Sequence, residues 1–272
     1  MADQVAEDIA DTTTTTTDDT AASPVITIER VSFLKVPVDI VNPDQLDFFT
    51  FQLLADGTEK NIVLLSVWDL LRARRKGEYR EFVNQAALVI PISKSIVKGI
   101  RFLQDKQAIR YMPFDFVIRL FTMLATRELS SYFLGGKKHI LAKAEKNIRA
   151  TFPALRVVGR FPGSFRRQEE TTIIEAIRKA SPSLLLVGKG VRGGERWIAR
   201  NTKRLGGGMR LWCSDLFDVF AERKQHPSQA VFNLGLEWVG YHLHNPFKLL
   251  RIFPFMYFNT VLLLHKIFKK NG

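Results

Sequence analysis

The stretch LSSYFLGG (129–136), followed by a helical segment and then by LRVVG (155–159), decides the fold. LSSYFLGG contains an apolar run without alternation, which is typical of a strand buried on both faces. The apolar residues of the next segment share one helical face: Ile140, Leu141, Ala144 and Ile148. A buried strand, an amphipathic helix and a second apolar run predict a βαβ unit with parallel strands.

The alternation continues downstream of this unit. The sequence predicts a helix over Thr171–Lys179, a strand over LLLVGKG (184–190), a helix after Gly194 and a strand over MRLWCSD (209–215). The helix after Gly194 aligns these residues on one face: Trp197, Ile198, Asn201 and Leu205. Such a series predicts a parallel sheet with helices on both faces.

Predicted strands and helices are also found in the part of the chain before the βαβ unit. VITIERV (25–31) and FLKVPVDIV (33–41) are predicted as two opening strands, and Asn42 with Pro43 predicts a helix start. Three more elements are predicted: the strand NIVLLS (61–66), a helix over Trp68–Val83 and the strand ALVIPI (87–92). Residues 25–236 are therefore predicted to form one Rossmann-like α/β domain with a doubly wound, mostly parallel sheet.

Charge is unevenly distributed along the chain. The formal net charge is +13, yet residues 1–24 hold six of the 27 acidic residues and none of the 40 lysines and arginines. This Thr-rich acidic segment is predicted to be disordered, because it offers too little apolar surface to offset chain entropy. The basic remainder predicts an anionic partner, either membrane lipid, a phosphorylated substrate or nucleic acid. Nucleic acid is not favoured, because no known binding module and no aromatic stacking platform is visible.

Residues 237–272 are predicted to form a basic, amphipathic appendage. No acidic residue follows Glu237, and large apolar side chains are interspersed with cations. The residues predicted to contact a membrane are Phe255, Tyr257, Phe258, Lys266, Lys269 and Lys270. Because no apolar run reaches 18 residues, the appendage is expected to lie on an anionic membrane surface without spanning it. The alternative is a helix that packs on the domain or on another subunit.

Cysteine and histidine offer little chemistry. Cys213 is the single cysteine, so an intrachain disulfide is impossible and nothing indicates an oxidising compartment. The histidines show no zinc-ligand spacing beyond the pair His242 and His244, and no metal or other cofactor is predicted. The N-terminus has no basic region followed by an apolar core, so no signal peptide is expected.

Two glycine clusters follow predicted strands, at the edge where open α/β sheets bind ligands. The first is Gly135 and Gly136, and the second includes Gly188, Gly190, Gly193 and Gly194. Glycine lets a backbone approach a ligand, and the helix that follows favours a phosphate at its N-terminus. Turns between strands and helices also need glycine, so a purely structural role is the alternative. GKGVRG (188–193) also matches the dinucleotide fingerprint, with Asp215 as its acid, but it follows a late strand and such a match alone is weak.

Several segments resemble the WecG/TagA/CpsF glycosyltransferases (glycosyltransferase family 26). The residues that carry the resemblance are LVGKGVRGGERWIARN (186–201), LFDVFAERKQHP (216–227) and LGLEWVGYHLHNPFKLLR (234–251), together with 132–165 and VPVDIVNPDQLDFF (36–49). In order, these segments cover most of residues 25–251. The segment LEW with the proline and basic residues after it is the most specific.

The resemblance implies a reaction and its participants. The family transfers a sugar, typically N-acetylmannosamine, from a UDP-sugar to a polyprenyl-diphosphate-linked sugar in cell-envelope polysaccharide synthesis. The expected place is the cytoplasmic face of the membrane, with peripheral attachment and no metal. The expected partners are the UDP-sugar, the lipid-linked acceptor and the anionic membrane surface, and a homo-oligomer is an option. The residues implied in nucleotide-sugar binding are Gly135, Gly136, Gly188, Gly190, Asp218 and Lys248.

Three residues are the candidate catalytic groups. Glu195 matches the Glu of the family's Q-E pair, and Arg251 matches a basic position where it would neutralise the diphosphate as UDP departs. The family's aspartate base follows a strand similar to ALVIP, where this chain has Ile92 and Ser93. Isoleucine accepts no proton, so Asp115 is the candidate replacement. Other departures are Arg192, Gly194, Glu222 and Asn245, and the alternative is an inactive relative that serves as a nucleotide-sugar-binding or membrane scaffold.

Overall fold

A computed structural model describes residues 28–55, 57–225, 232–233 and 252–270. The predicted acidic tail and residues 237–251 of the predicted appendage lie outside these residues. In chain order the strands are β1 (Glu29–Phe33), β2 (Val36–Ile40), β3 (Glu59–Leu65), β4 (Leu88–Pro91), β5 (Ser130–Leu134), β6 (Arg156–Phe161), β7 (Leu184–Val187) and β8 (Gly208–Trp212). The helices are α1 (Pro43–Ala55), α2 (Val67–Ala73), α3 (Glu78–Asn84), α4 (Lys94–Gln104), α5 (Pro113–Thr126), α6 (Lys138–Thr151), α7 (Arg167–Ala180), α8 (Glu195–Leu205), α9 (Leu216–Phe220) and α10 (Ile252–Lys270).

The centre of the molecule is a six-stranded sheet in the order β4-β3-β8-β7-β5-β6. Every neighbouring pair in it is parallel. Strand β7 shows why the strands lack alternation, since Leu184 and Leu186 pack into one apolar cluster while Leu185 and Val187 pack into the cluster on the other face. Helices cover both faces, which confirms the predicted Rossmann-like α/β fold.

The two predicted opening strands form an antiparallel hairpin beside the main sheet. Leu34 and Lys35 in its two-residue turn both adopt positive φ, as such a turn requires. Asp39 ties the hairpin to the domain. Its buried carboxylate accepts two bonds from Arg30, at 2.6 and 2.8 Å, and one from the Val89 amide of β4 at 2.6 Å.

The predicted helix over Trp68–Val83 is two short helices, α2 and α3. The chain leaves the helical conformation after Ala73 and re-enters it at Glu78. Gly77, directly before α3, has a φ of 140°, a conformation that other residues rarely adopt. This break turns α3 so that Tyr79, Phe82 and Val83 pack into the core.

Helix α10 packs one face on the domain and leaves the other exposed. Phe258 is 1% exposed and packs against Phe33 of the hairpin, with ring centroids 6.3 Å apart, and Leu262 is buried one turn later. The prediction that Phe258 contacts a membrane is therefore wrong in this packing, because its spacing of four residues from Leu262 puts it on the domain-facing side. The exposed apolar side chains of α10 are Phe253, Phe255, Met256, Tyr257, Leu263, Leu264, Ile267 and Phe268. None of the helices in the described part of the chain has both the length and the apolar character needed to cross a bilayer.

Candidate functional site at the carboxyl edge of the sheet

All six parallel strands end at the same edge of the sheet, which we call the carboxyl edge. The loops after β5, β6 and β7 meet at one half of it, and the loops after β3 and β4 form the other half. The start of α8, which follows β7, reaches toward the second half through Glu195. Open α/β sheets bind their ligands at this edge.

The first half is a glycine cradle formed by Gly135, Gly136, Gly163, Gly188 and Gly190. The amide of Gly136 donates to the Lys189 carbonyl at 2.6 Å, and the amide of Gly163 donates to the Gly136 carbonyl at 2.9 Å. The Gly188 amide donates to the Leu134 carbonyl at 2.8 Å. These bonds hold three loops, from three different strands, in backbone contact.

Side chains are excluded from the cradle by geometry. A Cβ on Gly135 would lie 2.7 Å from the Gly188 Cα, and a Cβ on Gly163 would lie 2.8 Å from the carbonyl carbon of Gly190. Gly135 and Gly190 also have φ of 145° and 95°, which favour glycine. The predicted cluster of Gly135, Gly136, Gly188 and Gly190 is thus brought together, and Gly163 joins it without having been predicted.

Lys189 lies between Gly188 and Gly190 and places a positive charge beside the cradle. Its ammonium lies 2.6 Å from the carboxylate of Asp218 and 3.8 Å from that of Asp215. Asp215 also accepts a hydrogen bond from Lys224 at 2.6 Å. The side chain of Asp218 is only 5% exposed, so in this structure it holds Lys189 in place beside the glycines.

Helix α6 begins directly after the cradle. Its first turn holds no acidic residue, and the preceding Lys137 has extended backbone geometry. Unpaired amides at a helix start favour an anion. A cavity of about 560 Å³ adjoins this helix start and is lined by Lys138, His139, Leu141, Ala142, Arg160 and Pro162.

The second half of the carboxyl edge is a serine–carboxylate cluster formed by Ser66, Asp69, Arg72, Tyr79 and Glu195. The Arg72 guanidinium donates to Asp69 Oδ1 and to Glu195 Oε2, each at 3.2 Å. The Tyr79 hydroxyl donates to Glu195 Oε2 at 2.7 Å, and the Arg72 Cζ lies 3.4 Å from the centre of the Tyr79 ring.

Burial sets the protonation of this cluster. It raises the pKa of Glu195 to about 7, with the nearby charge of Asp69 adding to the shift and the bonds from Tyr79 and Arg72 opposing it. Burial and the carboxylate of Glu195 also raise the pKa of Tyr79, so its hydroxyl stays a donor. Glu195 therefore sits between charged and neutral forms near neutral pH.

The end of β4 contacts this cluster and a distant part of the chain. Ile92, where the resemblance implies a base, is partly buried against the apolar cluster that contains Phe116. Arg110 donates to the Ile92 carbonyl at 2.8 Å and to the Phe232 carbonyl at 2.7 Å. Lys94 donates to the Asn233 carbonyl at 2.8 Å, so residues 232–233 lie against the end of β4.

The remaining predicted residues are distributed as follows. Glu195 belongs to the serine–carboxylate cluster and not to the glycine cradle. Asp115 is half-buried in the first turn of α5, where the neighbouring Phe114 packs on Phe220 with ring centroids 4.9 Å apart. Lys248 and Arg251 lie outside the described residues, and so do the side chains of Lys269 and Lys270.

Sequence reasoning missed Lys189 and most of the serine–carboxylate cluster. One signal was present, because Ser66 and Asp69 have the spacing of a capping box at a helix start. Arg72 and Glu195 are 123 positions apart, and their contact had no local signal. Within the described residues no group of three or more histidine, cysteine or acidic side chains is arranged to hold a metal ion.

The chain is similar to known proteins over most of its length. A relative in Bacillus spizizenii is named N-acetylglucosaminyldiphosphoundecaprenol N-acetyl-beta-D-mannosaminyltransferase. It is 20% identical over 194 residues, which are 71% of this chain and 75% of the relative. A model of the glycosyl transferase WecG/TagA/CpsF family matches residues 31–271. Because this match spans most of the chain, the protein belongs to the WecG/TagA/CpsF family of glycosyltransferases.

Proposed function

We propose that this glycosyltransferase moves N-acetylmannosamine, or a similar sugar, from a UDP-sugar to an acceptor linked to a polyprenyl diphosphate. The reaction would serve cell-envelope polysaccharide synthesis at the cytoplasmic face of the membrane. The name of the Bacillus spizizenii relative describes such a transfer to a lipid-linked acceptor, and this supports the acceptor class.

The glycine cradle is the observation that carries the proposal. Three glycine-containing loops pack against one another at the carboxyl edge with Gly190 exposed, and α6 begins directly after one of them. Lys189 supplies a cation at the same place. An exposed glycine, a helix start and a cation together suit the diphosphate of a UDP-sugar. Lys248 and Arg251 remain predicted partners of the same diphosphate.

The two faces of α10 support membrane attachment. Phe258 and Leu262 fix the helix to the domain, so its opposite face points outward as an apolar strip. Lys266 lies over the exposed ring of Phe102, 3.6 Å from its centre, which adds a cation at the rim of this strip. An apolar strip with cations at its rim suits the boundary between lipid and water. A second copy of this chain is the other occupant that such a strip would suit.

A second candidate function is that of a catalytically inactive relative that binds a nucleotide sugar. The observation in its favour is Ile92, which supplies no proton acceptor at the end of β4. The two candidates share the cradle and differ in turnover. Donor binding without transfer to the acceptor is the signature of the second.

The test is a transfer assay with UDP-N-acetylmannosamine and a polyprenyl-diphosphate-linked N-acetylglucosamine. Donor binding is measured first by calorimetry with UDP, and then transfer is measured by UDP release and by mass of the lipid product. Release of UDP with formation of the glycosylated lipid is the expected result. Binding of UDP without product would establish the inactive candidate, and no UDP binding at all would remove both.

The same assay tests membrane attachment when the acceptor is presented either in vesicles or in solution. The double variant Leu263→Glu/Ile267→Glu puts two charges on the exposed strip of α10. It should transfer slowly to acceptor in anionic vesicles but normally to a short-chain acceptor in solution. Thr122→Glu/Thr126→Glu adds the same charges at the same spacing on exposed α5 positions and is the matched control. Equal transfer to both acceptor forms by the α10 variant would contradict membrane attachment through this strip.

A further inference from the structure

We propose that Asp69 is the general base of the transfer reaction and that Ser66 holds it in place. This inference rests on the proposed function, since it assigns a role in the same reaction. It gives the second half of the carboxyl edge the task that Ile92 cannot perform.

Asp69 belongs to the part of the sheet edge where Ile92 lies. Strands β3 and β4 are parallel neighbours with Leu65 opposite Pro91, so Ser66 and Ile92 are the next residues of the two strands. The Ile92 amide donates to the Leu65 carbonyl at 3.0 Å. The amide of Val67 donates to Ser93 Oγ at 3.2 Å. The first turn of α2 is thereby bound to the end of β4.

The carboxylate of Asp69 is held over this turn by three groups. Ser66 Oγ donates to Asp69 Oδ2 at 2.5 Å, and the Ser66 amide reaches the same oxygen at 3.4 Å. Arg72 donates to Asp69 Oδ1 at 3.2 Å. The side chain of Asp69 therefore has a fixed direction, which a general base needs for proton transfer in one geometry.

Exposure distinguishes Asp69 from Glu195 and Asp218, whereas the more exposed Asp215 is held between Lys189 and Lys224. Its side chain is 26% exposed, while those of Glu195 and Asp218 are 9% and 5% exposed. Glu195 is occupied by Tyr79 and Arg72, and Asp218 lies against Lys189. Asp69 alone among these three combines a fixed carboxylate with access to solvent, and hence to an incoming acceptor.

The sheet order places Asp69 two strands away from the β7 loop of the cradle. Strand β8 separates β3 from β7, so the two loops are roughly 10 Å apart. A UDP-sugar whose diphosphate lies at the cradle and extends along the edge brings its anomeric carbon toward Asp69. The donor then needs no contact with Ile92.

The sugar transfer proposed here uses neither a metal nor a co-reactant. The acceptor hydroxyl oxygen forms a bond to the anomeric carbon of the donor sugar, and its proton passes to the carboxylate of Asp69. The bond between the anomeric carbon and the β-phosphate oxygen breaks, and its electron pair leaves with UDP. The proton on Asp69 then passes to water.

The test compares Asp69→Asn with the wild-type protein in the transfer assay. Asparagine keeps the size and the hydrogen-bond acceptor but takes up no proton, so kcat should fall about 10²–10⁴-fold. UDP affinity and the melting temperature should stay close to wild type. Asp105→Asn, at the exposed end of α4, is the control for a change from carboxylate to amide. The acid limb of the wild-type pH profile should also be absent from the residual rate of Asp69→Asn.

The outcomes separate this inference from the proposed function. If the wild-type protein transfers sugar and Asp69→Asn does so within threefold, the base assignment is overturned while the proposed function stands. If Asp69→Asn loses UDP binding or folding together with turnover, Asp69 is a structural capping residue and the assignment is also overturned. Loss of turnover in Asp115→Asn with normal turnover in Asp69→Asn would move the base to Asp115. A wild-type protein without transfer would remove the proposed function, and this assignment with it.

Discussion

The two halves of the carboxyl edge are built in different ways. The glycine cradle is made of backbone, and each of its loops has a glycine within two residues of the end of a strand. The serine–carboxylate cluster is made of side chains from α2, α3, α8 and the loop before α2. The half to which we assign binding depends on the absence of side chains, while the half to which we assign the chemistry depends on charges held by partners distant in sequence.

The substitution that disrupts the glycine cradle most directly is Gly135→Ala. In Gly135→Ala the new Cβ would lie 2.7 Å from the Gly188 Cα, so the loops after β5 and β7 must separate. Overpacking of this kind costs about 1–3 kcal/mol, or roughly 5- to 150-fold in UDP affinity if the cost falls on the cradle. Calorimetric titration with UDP measures this loss.

Gly77→Ala is the matched control for this substitution. Gly77 has nearly the same φ, 140° against 145°, but a Cβ there meets no atom within 4 Å. Both variants therefore carry the backbone strain, and only Gly135→Ala pushes the loops of the cradle apart. Equal UDP affinity in the two variants would show that the cradle does not bind the nucleotide.

The serine–carboxylate cluster should make stability depend on pH through Glu195. Its pKa in the folded protein is raised to about 7 from a reference of 4.5, so the folded state binds a proton that the unfolded state has released. The contribution of Glu195 to stability is fully present below about pH 4.5 and is lost as pH rises through about 7. We therefore compare the free energy of unfolding of Glu195→Gln with that of wild type at two pH values. Between pH 5 and pH 8 the difference should shift in favour of Glu195→Gln by about 1–3 kcal/mol.

Urea unfolding of both proteins at several pH values measures this difference. The exposed Glu78→Gln in α3 controls for removal of one negative charge from the same region. A stability difference between wild type and Glu195→Gln that stays constant from pH 5 to pH 8 would contradict the assigned protonation of the cluster.

The sequence predicted the fold and the cradle because both depend on local patterns. Buried strands without alternation, the helical face of Ile140 and Ile148, and Gly135 next to Gly136 are each visible within a few residues. The carboxyl edge of a parallel sheet then brings such glycines together without further information. Gly163 was missed because a single glycine after a strand has no neighbour to mark it.

The remaining site residues depend on tertiary contacts. The break at Gly77 turns Tyr79 of α3 toward Glu195 of α8, and Arg72 of α2 reaches the same carboxylate. No pattern along the chain encodes these contacts. Phe258 was predicted as a membrane residue because α10 is apolar on most of its surface. The side that faces the domain was decided by Phe33, which is distant in sequence. Composition alone could not separate the buried face of this helix from the exposed one.

The smallest expected effect concerns the residue that positions Asp69. Ser66→Ala removes a helix cap, which costs about 1 kcal/mol of stability. It also removes the donor 2.5 Å from Asp69 Oδ2, so the carboxylate keeps only Arg72 and the weaker bond from the backbone amide of Ser66. We expect kcat to fall by roughly 5- to 10-fold, since about 1 kcal/mol of positioning is lost while the base itself remains.

Ser66→Thr is the variant that separates capping from positioning. Threonine restores both the cap and the hydroxyl donor, so turnover and stability should both return toward wild type. Raising the stability of Ser66→Ala by another route, through added glycerol, should restore its melting temperature but not its kcat. If kcat returns together with the melting temperature, Ser66 acts only as a cap. The orientation of Asp69 would then owe nothing to its hydroxyl, and the second half of the edge would rest on Arg72 instead.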